Sequence, residues 1–148
     1  MKSYGRVMVA TDFSADSVAA AHRGADVARR FGATLTLLHV VEHFPEDMPF
    51  DGVAPENVSP AEYYLDRARR DLAALAERIG RPDATQEVVV STGSARQEIL
   101  QFAAAGTIDL IIVGSHGGEA LGPFGSTAIG ITHYASCDVL VVRAAGLD

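Results

Sequence analysis

Apolar residues follow two alternating patterns along this chain. Short runs rich in valine, leucine and isoleucine stand at Arg6–Thr11 (RVMVAT), Thr34–Val41 (TLTLLHVV), Glu87–Ser91 (EVVVS), Ile108–Val113 (IDLIIV) and Val139–Val142 (VLVV). Such near-continuous runs are the signature of strands buried on both faces of a parallel sheet. Between them the apolar positions take helical spacing: Val18, Ala21, Ala25, Ala28 and Phe31; then Leu65, Ala68, Leu72, Leu75 and Ile79; then Ile99, Leu100 and Ala103. A fourth helix is expected over Ser126–Ala135. Gly32 reads as a C-terminal cap, and Gly80, Pro82 and Gly106 as stops. Ser59-Pro60-Ala61-Glu62 and Ser94-Ala95-Arg96-Gln97 read as capping boxes that open two of the helices. The order βαβαβαβαβ predicts an α/β fold: a single domain over residues 1–148, with an open five-stranded parallel sheet and helices on both faces.

One stretch breaks the pattern. Residues 42–58 hold three prolines and no periodicity, and they exceed the usual connection of about 4–6 residues. They read as a lid or a long crossover. The arginines at 67, 69 and 70 lie mostly off the apolar stripe of the helix that follows, and a solvated face accounts for them.

Composition narrows the function classes. The chain has 148 residues, 48% of them hydrophobic, and a domain of that length buries roughly 68–70% of its unfolded surface. No apolar run reaches the ~18 residues of a membrane span, and the N-terminus carries no secretory pattern, so a cytoplasmic location is expected. Net charge is −7, with a single lysine (Lys2), which argues against nucleic-acid binding. The lone Cys137 excludes intrachain disulfides and CxxC motifs and reads as a small buried hydrophobe. Five scattered histidines show no metal-ligand spacing.

In open α/β sheets, ligands lie beyond the carboxyl ends of the strands, where the strand order reverses. Two strand ends carry unusual residues: Thr11-Asp12-Phe13-Ser14, and Gly114-Ser115-His116-Gly117-Gly118. Five glycines fall within the twelve residues from Gly114 to Gly125, and a helix follows. Converging backbone N–H groups at a helix start make an anion site, to which Ser126 and Thr127 would add hydroxyls. The segment has no Lys or Arg, so a bound phosphate would rely on backbone dipoles, hydroxyls and Mg2+. There is no Gly-Lys pair of a P-loop, no GxGxxG after the first strand, and Ser91 stands where a phosphate-accepting receiver domain needs Asp. Plainer readings stand beside these: Asp12 as a helix cap, His116 as a loop hydrogen-bonder, His39 as a satisfied core histidine. No general base accompanies Ser14, Ser17 or His116, so no catalytic residue is assigned, and any hydrolysis of a bound phosphate is expected to be slow at most.

These residues resemble the universal stress proteins, through VMVATDFS, LTLLHVVE, STGSARQEIL and DLIIVGSHGG…GSTA…CDVLVVR. The resemblance spans almost the whole chain and implies a Rossmann-like, adenine nucleotide alpha hydrolase-like fold that binds ATP. The family's signature is Gly-x2-Gly-x9-Gly-(Ser/Thr). Gly114 and Gly117 match its first half and Gly125-Ser126 its last, but the spacer between them is seven residues and carries Glu119 and Pro123. By position, the resemblance implies that Asp12 bonds the ribose, that the Val40 backbone meets the adenine, and that Gly114, Gly117, Gly125, Ser126 and Thr127 surround the phosphates. It also implies a homodimer paired through the last strand, Val139, Leu140, Val141 and Val142. Pairing would shield an apolar edge.

Two readings follow. In one, the chain is a nucleotide-responsive homodimeric stress factor binding ATP with Mg2+ or another adenine nucleotide. In the other, the short spacer has removed nucleotide binding, and the chain is a dimeric protein-interaction module.

Overall fold

In the computed structural model, which describes residues 3–42, 60–91, 93–115 and 126–144, strands and helices alternate strictly along the chain. They are β1 (Arg6–Ala10), α1 (Ala15–Phe31), β2 (Thr34–Val41), α2 (Pro60–Arg78), β3 (Thr85–Val90), α3 (Ala95–Ala105), β4 (Leu110–Gly114), α4 (Ser126–Tyr134) and β5 (Asp138–Val142). The strands form one sheet in the order β3-β2-β1-β4-β5, every neighbouring pair parallel. The chain therefore runs outward from β1 to β3, then crosses to the other side of β1 for β4 and β5. That reversal opens a crevice at the carboxyl ends of β1 and β4.

Alternation along each strand sends side chains to opposite faces. Val7 and Val9 of β1, with Leu35, Leu37 and Ile112, lie under Ala20, Ala21, Ala25 and Ala28 of α1 and Leu72, Leu75 and Ala76 of α2. Met8, Leu38, Ile111 and Val113 face Ile99 and Ala103 of α3 and Ala128 and Ile131 of α4. Each large aliphatic side chain buried in this way contributes about 1.5–3 kcal/mol. The small residues of α1 let that helix lie close on β1.

Several element ends are explained by local chemistry. Ser94 caps α3 by accepting the Gln97 N–H at 3.2 Å. At the end of α1, Gly32 takes φ +64, and the Ala33 and Gly32 amides donate to the carbonyls of Ala28 (2.8 Å) and Arg29 (3.3 Å), which is a Schellman motif. α2 begins at Pro60, with Ser59 of the expected capping box outside the described residues.

Other ends differ from the sequence expectation. β3 starts at Thr85, because an edge strand can pair Thr85 and Gln86 with β2 while leaving both exposed. β4 starts at Leu110, because the Asp109 carboxylate accepts the amides of Gly5 and Arg6, both at 2.8 Å. α4 stops at Tyr134. Cys137 is half-buried rather than buried, packed at the margin of the α3–α4 face. Most of the 42–58 stretch lies outside the described residues. Among the described residues, no helix is long and apolar enough to cross a membrane.

Candidate functional site

The crevice is built first by the end of β1. The Thr11 amide donates to the Leu38 carbonyl at 2.9 Å, carrying the β1–β2 ladder one residue past the strand. The Thr11 carbonyl lies 2.7 Å from His39 Nδ1. A carbonyl only accepts, so Nδ1 carries the hydrogen. His39 is thus satisfied, as its plain reading has it, but half-buried rather than in the core.

The buried Thr11 hydroxyl accepts the Phe13 amide at 3.0 Å and pairs with Ser17 Oγ at 2.9 Å. Phe13 turns the chain at φ +65, a conformation rare for a bulky residue. Its ring rests on His39, with centroids 4.7 Å apart, which helps hold the turn. The turn leaves Asp12 exposed at the mouth of the crevice, with Oδ1 accepting the Ser14 amide at 3.0 Å. The cap of α1 is Ser14, whose hydroxyl accepts the Ser17 amide, so Asp12 steadies the capping residue without capping the helix itself.

The end of β4 is set by close packing. A Cβ on Gly114 would lie 2.7 Å from the Asp16 carbonyl carbon and the Ser17 nitrogen, and 2.9 Å from Asp16 Cβ. The backbone of β4 thus presses against the first turn of α1, an approach only glycine allows. Ser115 follows with no exposed surface. Its amide donates to the Val142 carbonyl at 2.8 Å, and its hydroxyl donates to Asp16 Oδ2 at 2.6 Å. Asp16, only 5% exposed, also accepts the Ala144 amide on Oδ1 at 3.0 Å. Its charge sits in the first turn of α1, where the helix dipole favours an anion.

The structure brings several expected residues to one end of the sheet. Ala10 registers with Leu38, so two further steps place Val40 level with Asp12. Val9 registers with Ile112, so Gly114 stands level with Thr11. Because α4 connects two parallel strands, it runs back against them, and its first residues Ser126 and half-buried Thr127 begin at that same end. Gly117 and Gly125 lie outside the described residues, as do His116, Glu119 and Pro123. Among the described residues, no group of three or more His, Cys, Asp or Glu could hold a metal ion.

Three residues at this end were not anticipated. Asp16 and Ser115 make the buried pair, and exposed Arg143, directly after β5, brings a cation to a rim whose glycine-rich segment has none. A weak signal for Arg143 existed, since it ends the last apolar run. Nothing local could have paired residues 16 and 115.

Comparison with known proteins supplies the context. The model of the universal stress protein family matches residues 3–143. Universal stress protein A homolog 1 of Coxiella burnetii is 34% identical over 140 residues, covering 94% of this chain and 96% of that protein. The solved universal stress protein UspA from Lactobacillus plantarum superposes with a TM-score of 0.71 at 25% identity, covering 97% of this chain and 100% of that one. A universal stress protein solved in complex with cAMP superposes at 0.69 with 23% identity, covering 97% and 100%.

Proposed function

Because the chain belongs to the universal stress protein family, we propose that it binds an adenine nucleotide, ATP with Mg2+ in the first instance, in the crevice between β1 and β4. The observation that carries this reading is the shared placement of exposed Asp12, the level Val40 backbone, and the start of α4 at the carboxyl end of the sheet. Asp12 would accept from the ribose hydroxyls, and the Val40 backbone would meet the adenine edge. The amides of the first turn of α4, with Thr127, would face the phosphates, with Gly114, Gly117, Gly125 and Ser126 around them. The cAMP-bound relative shows that this fold holds an adenine nucleotide in another family member.

Mg2+ fits as a companion of the phosphates and not as a resident of the protein. That ion keeps several waters and binds through phosphates plus one or two carboxylates. Both oxygens of Asp16 already accept hydrogen bonds. Asp12, by contrast, is an exposed carboxylate at the end of β1.

The proposed working form is a cytoplasmic homodimer joined along β5, whose Val139, Leu140 and Val141 are half-buried on an open edge of the sheet, with Val142 buried beside them. Nucleotide occupancy would alter the surface that partners read, with no catalytic residue required.

Isothermal titration calorimetry of nucleotide-stripped protein with Mg-ATP, and separately with cAMP, tests the site. Saturable binding near one ligand per chain supports it. Absence of heat at millimolar ligand, with an unshifted melting temperature, overturns it. A second reading, a dimeric interaction module without nucleotide, is favoured by the seven-residue spacer with Glu119 and Pro123. Inserting two residues between Gly117 and Gly125 then creates binding where the natural chain has none.

A further inference from the structure

Asp16 joins three distant parts of the chain through one buried carboxylate. It belongs to the first turn of α1, and its two oxygens receive the hydroxyl of Ser115, 99 residues away, and the amide of Ala144, 128 residues away. Ser115 is the residue from which the glycine-rich segment leaves β4, and Ala144 follows the edge strand β5 by two residues. The Ser115 amide also donates to Val142, the last residue of β5. The Ser115 hydroxyl thus donates to Asp16, although Ser115 lies inside the glycine-rich segment.

The close approach of Gly114 to the Asp16 backbone leaves this junction little slack. A displacement of Ser115 would change the donor on one oxygen of Asp16, and the other oxygen holds the end of β5. A carboxylate with little exposed surface is costly to leave without its donors.

We propose that Asp16 is a positioning residue that couples the switch-point site to the edge strand β5, so that a nucleotide in the crevice and order along β5 depend on each other. This rests on the nucleotide reading given above. Coupling between two sites is reciprocal, so whatever binds along β5 would tighten the nucleotide in turn.

Hydrogen exchange of the full chain, with and without Mg-ATP at saturation, tests the coupling. In the natural chain Mg-ATP slows exchange over residues 139–144 by about fivefold or more, the low end of coupling between sites. Asp16→Ala and Ser115→Ala still bind Mg-ATP by calorimetry but pass on less than about a twofold effect. Asp16→Asn restores the effect, because its carbonyl accepts from Ala144 and its amide donates to the Ser115 oxygen. Should Asp16→Ala fail to fold, Ser115→Ala and Asp16→Asn give the answer between them. If the natural chain binds Mg-ATP and residues 139–144 do not respond, the coupling is refuted and the site stands. The same holds if both variants transmit the effect undiminished while melting lower, which marks Asp16 as structural only. If the natural chain binds neither Mg-ATP nor cAMP, the nucleotide reading falls first and the coupling with it.

Discussion

Gly114→Ala is the sharpest test of how the crevice is assembled. The added Cβ would sit 2.7, 2.7 and 2.9 Å from three atoms of α1, two of them backbone and the third the Cβ of Asp16. None of these is the movable end of a flexible side chain, so either β4 or the first turn of α1 has to shift. Forcing a methyl group into a closed space of this kind costs about 1–3 kcal/mol. For a chain of this size, roughly 2 kcal/mol lowers the melting temperature by about 4–8 °C. The shift also pulls on the 2.6 Å bond between Ser115 and Asp16, which argues for the upper part of that range.

Two other glycines calibrate the result. Gly5→Ala meets only the Asp109 carboxylate at 3.4 Å, an ordinary contact, and stays within about 0.5 kcal/mol of the natural chain. Gly32→Ala has open space but φ +64, so it loses about 1 kcal/mol to backbone strain alone. Thermal unfolding by circular dichroism of the three variants should rank them 114, 32, 5 in order of damage. A Gly114→Ala protein melting within about 1 °C of the natural chain would refute the close approach of β4 to α1. Calorimetry on the same variant also separates the two demands on this glycine. Unchanged nucleotide affinity in a destabilised protein assigns it to packing, and a parallel loss of affinity assigns it to both.

Three further outcomes are expected. Asp12→Ala removes an exposed charged acceptor and weakens nucleotide binding by about 10–100-fold, corresponding to a hydrogen bond to a charged group. Its melting temperature stays close to that of the natural chain, since Asp12 is exposed; undiminished affinity by calorimetry would remove Asp12 from the site. Ser14→Ala deletes the cap of α1 and should cost about 1 kcal/mol in denaturant unfolding, whereas a neutral result would mean water replaces the cap fully. Tyr4 donates to Asp138 at 2.7 Å; that hydrogen bond, then desolvation and the adjacent charge, hold its pKa above the ordinary 10.0. The stabilisation from this pair is complete below pH 10.0 and is lost as pH rises through the folded value, so Tyr4→Phe should flatten the alkaline limb of stability against pH.

Much of the architecture was legible because strands covered on both faces read as unbroken apolar runs and helices covered on one face do not. β2 and β4, which lie within the sheet, announced themselves in this way, while the edge strand β3 hid two exposed residues at its start. Strand order was not legible from pattern alone. The rule that ligands gather where order reverses nevertheless placed Asp12 and Gly114 at a common end before any order was known. The turn after Asp12 was illegible because phenylalanine is a poor signal for a positive φ, and Phe13 adopts it where the neighbouring Thr11 hydroxyl and the His39 ring from β2 hold it.

The two aspartates of the sequence DFSAD show what periodicity leaves out. Asp12 and Asp16 are four residues apart, and the sequence pattern singles out only Asp12. The fold separates them: Asp12 is turned out to the rim, and Asp16 is covered by residues whose contact depends on β4 and β5 lying beside α1. Under the nucleotide reading this separation has an electrostatic consequence. A second uncompensated carboxylate near the crevice would repel phosphate, but Asp16 is held at the positive end of α1 with a donor on each oxygen, and its charge is spent inward. The crevice then presents to an anion the amides of α4, with the Asp12 carboxylate placed for the sugar.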